Sequence, residues 1–350
     1  MGMMNDAVLS YLEDDERFAD LFNNVYFGGE QIVKPQELRE ASEVYPPLPD
    51  RKGGRDGQKI RDIKRRLESG VCLKILAVEA QNDICYLMPW RIMDYDCREY
   101  GKQIRKAQRR NQKAQKEGKK DIYRNAGERL ERFRQGDRLA PVYTLCLYHG
   151  EEKWDGPRSL RDMMDFGADG ERQKWEDYFA DYPMRIVCAN EFMDCGGFRT
   201  SLRELFALLP FRKDRAGLEK LLEENPAYQS MDEETARTVS VLMGIRKFME
   251  QEEKYRNGED YNMCQAIREM MEDSRKEGWG EGRKEGRREG KKEGRREGRK
   301  EGRRKEQAEG IRIFIQSNRD DGITDEAIAE KLQKYYLLSK DRARKALKKR

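Results

Sequence analysis

The segment at residues 71–83, VCLKILAVEAQND, constrains the fold of this chain more than any other. Its apolar run is typical of a buried β-strand, and the strand closes on Glu79-Ala80-Gln81. Because side chains alternate along a strand, Glu79 and Gln81 point to the same face. Burying an acid and an amide costs free energy unless both groups find binding partners. The segment therefore predicts either a functional site or a strand end that has reached solvent.

The segments around this strand alternate between helical and extended patterns. Residues 59–67 fit a strand or a helical turn, and residues 215–275 have a mostly helical pattern. Further helices are predicted at 5–23, from Pro89 to a break at Gly118, at 159–166 and at 200–209, and further strands at 139–148 and 184–189. This alternation predicts an α/β sheet with flanking helices.

Composition limits the class of protein. Charged residues make up 40% of the 350 positions, so much of the chain must be exposed. No apolar run approaches the length of a membrane span, and acids occupy the N-terminal stretch where a secretory signal would be apolar. We therefore expect a cytoplasmic protein without a membrane segment.

Cysteine and histidine usage limits the chemistry. The seven cysteines are scattered without a CxxC pair, which favours reduced thiols over a disulfide framework or a zinc site. His149 is the single histidine, so a site with several histidine ligands is excluded. A metal would need carboxylate ligands, which favour Mg²⁺ or Mn²⁺.

The net charge of +5 is unevenly distributed. Residues 98–138 hold 15 basic and 6 acidic side chains, and residues 275–305 hold 15 basic and 7 acidic ones, so the remainder is net negative. Two basic arms indicate a polyanionic partner, nucleic acid first, although solvated helices of mixed charge fit equally well. The candidates for phosphate contacts are Lys102, Arg105, Lys106, Arg109 and Arg110.

The C-terminal third contains a repeat and a small apolar segment. Residues 281–304 repeat Glu-Gly followed by two cations, and glycine in every fourth place costs about 1 kcal/mol each in a helix. The repeat predicts a marginal, extended arm that either tracks phosphates or acts as a spacer. Beyond it, Thr324 and Ser339 precede two helical patterns, which fit a packing cap, a hairpin for homo-oligomer formation or a helix-turn-helix.

Asp62, Glu79 and Gln81 form the candidate site. An acid on one strand and an acid-x-polar pair on its neighbour could hold one hard cation between them. The ion would be bound by Asp62 and Glu79, and the Gln81 amide would orient a water or a phosphate. The spacing of these three residues along the sequence, taken alone, would often occur by chance.

The flanking motifs resemble those of the recombination-promoting nucleases, the YhgA-like transposase family within the PD-(D/E)XK nuclease superfamily. The resemblance covers roughly residues 5–275 and is most specific at 59–165. The matching motifs are Glu79-Ala80-Gln81, Arg91-Ile92-Met93-Asp94-Tyr95, Tyr148-His149-Gly150, Trp154-Asp155-Gly156-Pro157 and Leu160-Arg161-Asp162. Two departures are the basic RDIKRR segment around Asp62 and an alanine at position 80, where the family has histidine.

The resemblance implies a magnesium-dependent DNA endonuclease with a nuclease-like mixed sheet flanked by helices and an all-helical C-terminal region. It assigns metal binding to Asp62 and Glu79 and the lysine-replacing role to Gln81, with Asp6 or Glu13 as a further acid. The implied divisions are a nuclease-like domain at 1–212, a helical extension at 213–274, the repeat arm at 275–305 and a helical unit at 306–350.

Two alternatives are open at this point. His149 ends a strand before a glycine, where a structural hydrogen bond is favoured over a role as general base. The whole chain could also be a catalytically degenerate nuclease fold that binds nucleic acid or assembles through its C-terminal helices.

Overall fold

A computed structural model describes residues 2–41, 44–45, 59–60, 62–69, 72–118, 120–167, 174–192 and 194–348. The chain forms two compact units, residues 1–271 and 272–350. Within the described ranges, no helix combines the length and the apolar character needed to cross a membrane.

The first unit is built on a mixed five-stranded sheet. Its spatial order is β1 (Leu38–Glu40), β4 (Ile63–Ser69), β5 (Cys72–Gln81), β6 (Val142–Tyr148) and β7 (Arg185–Cys188). Strand β4 is antiparallel to its neighbours β1 and β5, and β5, β6 and β7 are parallel. Two short pairs complete the strands: β2 (Val44–Tyr45) with β3 (Lys59–Ile60), and β8 (Arg256–Asn257) with β9 (Asp260–Tyr261).

The strand predicted at residues 71–83 is confirmed as β5, and Val71 itself lies outside the described residues. The ambiguous segment at 59–67 is resolved as strands, although β4 is rich in cations. These cations form ion pairs with carboxylates from elsewhere in the chain: Lys64 pairs with Glu99 at 3.1 Å and Arg65 with Asp15 at 3.1 Å. A basic sequence can therefore form an inner strand because its charges are paired on burial.

Helix α3 (Met88–Glu117) connects β5 to the parallel strand β6. Pro89 lies in its first turn and Gly118 follows its last residue, as predicted. The Asp96 carboxylate fixes α3 on the sheet, since it accepts hydrogen bonds from the Thr144 hydroxyl at 2.7 Å and the Tyr182 hydroxyl at 2.6 Å. A short helix, α4 (Ala126–Glu131), follows.

The helix predicted at residues 5–23 is divided into α1 (Met3–Tyr11) and α2 (Asp15–Phe27). The Asp14 side chain caps α2 by accepting the Arg17 N–H at 2.9 Å, and this cap starts a new helix. The division lets each helix bury its own apolar face.

The helix predicted at residues 159–166 is wrong. Only a 3₁₀ turn, Arg161–Met163, forms there, and Ser159 instead bridges to Pro183. The Asp162 carboxylate accepts the N–H groups of Arg158 at 2.7 Å and Ser159 at 2.9 Å, which commits this backbone to a turn.

The helices after the sheet pack on the same core as the sheet and α1–α2. That core includes Phe18, Leu145, Leu205, Val239 and Ile267, so the segment predicted as a helical extension contributes to it directly. These helices are α5 (Leu202–Leu208), α6 (Arg215–Glu224), α7 (Glu233–Met243) and α8 (Arg246–Glu250).

The last three helices are α9 (Met263–Asp320), α10 (Asp325–Tyr336) and α11 (Lys340–Lys348). The Glu-Gly repeat, predicted as a marginal extended arm, lies inside α9 and is helical. Each glutamate has a cation three residues on, and apolar residues anchor both ends of the helix, so the repeat propagates a helix without having to start one.

Candidate active site

Asp62 and Glu79 lie side by side at one edge of the sheet. Ile63 pairs with Val78 across the β4–β5 hairpin, so Asp62, one residue earlier, falls opposite Glu79. The contact is held by the backbone, because Asp62 Oδ2 accepts the Ala80 N–H at 2.8 Å. The two acids predicted from the sequence are therefore brought together.

Burial shapes the electrostatics of Asp62. Desolvation raises the pKa of its carboxyl group, and the Ala80 N–H and the charge of Arg91 oppose that rise. The negative charge of Asp6 on α1 raises the pKa further, so Asp6 lies within electrostatic range of the pair.

Of the two N-terminal acids proposed for the site, the structure brings Asp6 near the pair and leaves Glu13 elsewhere. The Glu13 carbonyl accepts a hydrogen bond from Arg65, which pairs with Leu76, three residues before Glu79 on β5.

Glu79 is completely buried, and Arg91 of α3 is its cationic neighbour. Arg91 Nη2 lies 3.8 Å from Glu79 Oε2, and about a third of the Arg91 side chain is exposed. Arg91 belonged to a matching sequence motif, but it had no assigned role. Its position one helical turn into α3, directly after the acid strand, is the signal that could have found it.

Gln81 follows Glu79 on the same face and is partly buried. Its side-chain Nε2 donates to the Ala80 carbonyl at 2.7 Å, and its own carbonyl accepts the His149 N–H at 2.9 Å. Gln81 thus sits at the edge of the sheet, next to the two acids, as the sequence predicted.

His149 makes the structural hydrogen bond that the sequence favoured. Its ring is fully buried, and Nε2 lies 2.8 Å from Asn5 Oδ1. Burial, helped by the charge of Arg212, lowers the pKa of His149 from 6.5 to about 4. The imidazole is therefore neutral at pH 7 and holds α1 against the end of β6.

Arg212 is a second cation that sequence reasoning missed. It follows the 3₁₀ turn Leu209–Phe211 and donates from Nη1 to the His149 carbonyl at 2.7 Å. Its buried Nε and Nη2 atoms have no hydrogen-bond partner among the residues that the structure describes. Burial lowers the pKa of Arg212, because a desolvated guanidinium is less stable as a cation.

The five predicted phosphate-binding residues are exposed on α3 but stand away from the acids. Lys102 and Arg110 lie 11 and 19 residues beyond Arg91, which is ~17 to ~29 Å along the helix axis. Between them, the Gln103 side chain bonds to Ala140, just before β6 begins. The basic half of α3 is therefore at the opposite edge of the sheet from Glu79. The exposed set is Lys102, Arg105, Lys106, Arg109 and Arg110.

Exposed apolar side chains follow the acid strand β5 in the chain. Tyr86 and Leu87, in the loop between β5 and α3, are each 58% exposed, and Trp90 in the first turn of α3 is 42% exposed. The Tyr86 hydroxyl donates to Asp155 at 3.0 Å, which fixes the ring at this edge. Aromatic faces of this kind stack on unpaired bases.

The two acids fit the way that magnesium is usually held. Mg²⁺ takes one or two carboxylates and completes its shell with water and substrate phosphate. Asp62 and Glu79 supply that donor set at a desolvated edge. In the described ranges, no three histidine, cysteine, aspartate or glutamate side chains gather into a full protein-ligated metal cluster.

Comparison with protein-family models, with curated proteins and with solved structures found no match to this chain. What the structure defines is an α/β protein with a mixed five-stranded sheet and a long helical C-terminal region. At one edge of the sheet, the half-buried Asp62 lies opposite the buried Glu79.

Proposed function

We propose that this chain is a metal-dependent DNA endonuclease of the recombination-promoting, transposase-like type. The observation that carries the proposal is the placement of Asp62 opposite Glu79 on two neighbouring strands, with Gln81 next on the same face. The antiparallel hairpin, the helical crossover and the parallel strand after it agree with the nuclease-like fold that the sequence motifs imply.

The proposed chemistry is hydrolysis of a phosphodiester bond. Asp62 and Glu79 would hold Mg²⁺ or Mn²⁺, which when bound polarises a phosphate and lowers the pKa of a bound water. Asp62 must be ionised for this role, so its raised pKa makes metal binding weaker at acid pH. Arg91 lies 3.8 Å from Glu79 and presents a partly exposed cation for the phosphate.

The surroundings of the acids also fit a nucleic-acid substrate. Tyr86 and Trp90 offer ring faces at the same edge, and Arg91 offers charge. The cations at the far end of α3, from Lys102 to Arg110, are less than one duplex turn of about 34 Å from Arg91 along the helix axis, so they could contact other phosphates of one bound duplex.

Nicking of supercoiled plasmid tests the proposal. We expect wild-type protein to nick the plasmid in the presence of Mg²⁺ or Mn²⁺, and we expect nicking to stop when EDTA is added. Glu79→Gln should lose activity, whereas Glu68→Gln, an exposed acid at the other end of the same hairpin, should keep it. Circular dichroism of both variants controls for folding. Absence of nicking by well-folded wild-type protein across divalent ions would reject the proposal.

A second function, DNA binding without cleavage, is favoured by a separate observation. Glu79 is fully buried beside Arg91, and position 81 carries an amide where nucleases of this type usually have a lysine. This alternative predicts DNA binding that needs no metal. Glu79→Gln should leave the binding unchanged, and neutralising the cations of residues 98–138 should abolish it. Measuring the fraction of bound DNA while EDTA is titrated in shows whether binding needs a metal, which separates the two functions.

A further inference from the structure

The last helices form a small cluster with its own core. The end of α9 packs with α10 and α11 around buried apolar residues. The buried set is Ile315, Ile328, Leu332 and Ala343, with Ile311, Phe314 and Leu347 packed against it. This three-helix cluster, residues 311–348, is a separate core from that of the sheet.

The connection between α10 and α11 has the length of a helix-turn-helix. Only Leu337, Leu338 and Ser339 separate the two helices. Leu337 adopts the left-handed conformation, with φ of 54°, and this ends α10 abruptly. A three- or four-residue turn of this kind joins the two helices of DNA-binding helix-turn-helix motifs.

Two contacts of one arginine link the two helices of the pair. Arg319, near the end of α9, donates to the Leu347 carbonyl at 3.0 Å and pairs with Asp325 at 2.9 Å. Arg319 therefore joins the C-terminal end of α11 to the start of α10. The buried Ala343, with its small side chain, allows α11 to lie close to the core.

Every exposed side chain of α11 is charged. Helical spacing places Lys345 opposite the inward residues Ala343 and Leu347. Asp341, Arg342 and Lys348 share that outward face, and Arg344 lies at its side. The exposed cations are Lys340, Arg342, Arg344, Lys345 and Lys348, against the single acid Asp341. A protein partner is disfavoured, because the centres of protein interfaces are depleted in charged residues.

The size of α11 fits the major groove of duplex DNA. An α-helix with its side chains is about 10–12 Å across, and the major groove is about 12 Å wide. The nine residues of α11 would extend ~13 Å along the groove. Arg342 and Arg344 carry planar guanidinium groups, which bind guanine edges through two parallel hydrogen bonds. Lysines such as Lys345 supply charge against phosphates.

The repeat in α9 adds a second basic surface within the same unit. Each repeat of four residues, on a helix of 3.6 residues per turn, shifts the pair of cations by about 40° around the axis. The exposed cations thus wind along α9 and reach Arg303, Arg304 and Lys305, just before the three-helix cluster. Phosphate contacts from this surface would bring α11 to the duplex.

We propose that the three-helix cluster docks on duplex DNA with α11 in the major groove. This proposal does not rest on cleavage by the acid pair, and the test keeps them apart because binding is measured with EDTA present. The class of ligand is duplex DNA, recognised by the exposed cations of α11.

The first arm of the test is the salt dependence of binding. Fluorescence anisotropy of the full chain with a labelled 25-base-pair duplex is recorded over a range of salt concentrations. Neutralising Arg344, Lys345 and Lys348 together to glutamine should lower the magnitude of the slope of log K against log salt by about 0.9 for each lost phosphate contact. The expected decrease is about 1.8 with Arg344 on a base, and about 2.7 with all three cations on phosphates. Glutamine is a good helix former, and circular dichroism checks that the variant is folded.

A matched control removes the same charge from the first unit. Lys34, Arg215 and Lys220 are exposed there, and their joint change to glutamine should leave the slope nearly unchanged. If the α11 variant and this control bind DNA with the same slope, the proposal is overturned.

The second arm uses wild-type protein and needs no substitution. Duplexes whose cytosines carry glucosylated 5-hydroxymethyl groups have a filled major groove. We expect binding to this DNA to be at least tenfold weaker than to the unmodified duplex. Equal affinity for both duplexes would overturn the placement of α11 in the groove, and tighter binding to single-stranded RNA would overturn the choice of ligand.

Discussion

His149 gives the sharpest physical prediction for the first unit. It is the single histidine of the chain, it is fully buried, and its pKa is lowered to about 4. Because the Asn5 Oδ1 atom can only accept, His149 Nε2 carries the proton, and Nδ1 has no hydrogen-bond partner within the described part of the chain. A second proton at Nδ1 would place a charge beside the buried Arg212.

The sign of the effect follows from linkage. Below pH 6.5 the unfolded chain binds a proton at His149, while the native chain does not until about pH 4. Stability from this group is therefore complete above pH 6.5 and is lost as the pH falls toward 4. Between pH 7 and pH 4.5 the loss is about 2 kcal/mol, and it approaches about 3 kcal/mol at lower pH.

Two measurements check this prediction. Since there is one histidine, a chain with ¹³C-labelled histidine shows a single ring resonance, and its titration gives the pKa directly. Urea unfolding of wild type and His149→Gln, at pH 7 and pH 4.5, gives the free energies. A Trp279→Phe background removes the tryptophan of the second unit from the fluorescence signal.

The difference between the two proteins isolates His149 from the carboxylates that titrate in the same range. Wild type should lose about 2 kcal/mol more than His149→Gln between the two pH values. An equal loss in both proteins, or a resonance that titrates near pH 6.5, would refute the reasoning.

Three further predictions concern stability. Gly286→Ala and Gly290→Ala should each stabilise α9 by about 1 kcal/mol, because alanine favours a helix and the added methyl group meets nothing within 4 Å. Circular dichroism should show higher helicity, and unchanged helicity would count against a helical repeat. Leu337→Gly should raise the thermal stability of the three-helix cluster by roughly 0.5–1 kcal/mol, since leucine is strained at φ of 54°, and a loss would disprove that strain. Lys64→Met should cost about 3–5 kcal/mol in urea unfolding, and adding Glu99→Leu should recover most of it; no recovery would mean that the pair is not the cause.

The strands of the sheet were predictable where the apolar signal is continuous. Strands β5, β6 and β7 fall inside the predicted segments. The short edge strand β1 was missed, because three residues within a loop-like sequence give no periodicity. Strand β4 was ambiguous because its cations are paired only by the fold, through Glu99 and Asp15.

The candidate site was predictable to the extent that it depends on local alternation. Glu79 and Gln81 follow from the period of a strand, and the hairpin register brings Asp62 to them. The placement of Arg91 and Arg212 depends on how α3 and the chain after α5 pack on the sheet, and no local pattern encodes that. The basic residues of α3 were predicted to contact phosphates, and they lie away from the acids because α3 runs back toward the start of β6.

The helical repeat shows the same limit. Helix propensity alone predicted an arm of marginal helix stability, since each glycine opposes helix formation. The structure continues one helix through all six repeats, because packed turns at both ends supply the nucleus that the repeat lacks.

A double-mutant cycle on the nicking rate tests the central claim most directly. Single-turnover rates in saturating Mg²⁺ are compared for wild type, Asp62→Asn, Glu79→Gln and the double variant. If the two acids serve one ion, each single change should slow nicking by about 10²-fold or more, and the double variant should be about as slow as either. Rates near wild type in the single variants, or effects that simply multiply, would contradict a shared site.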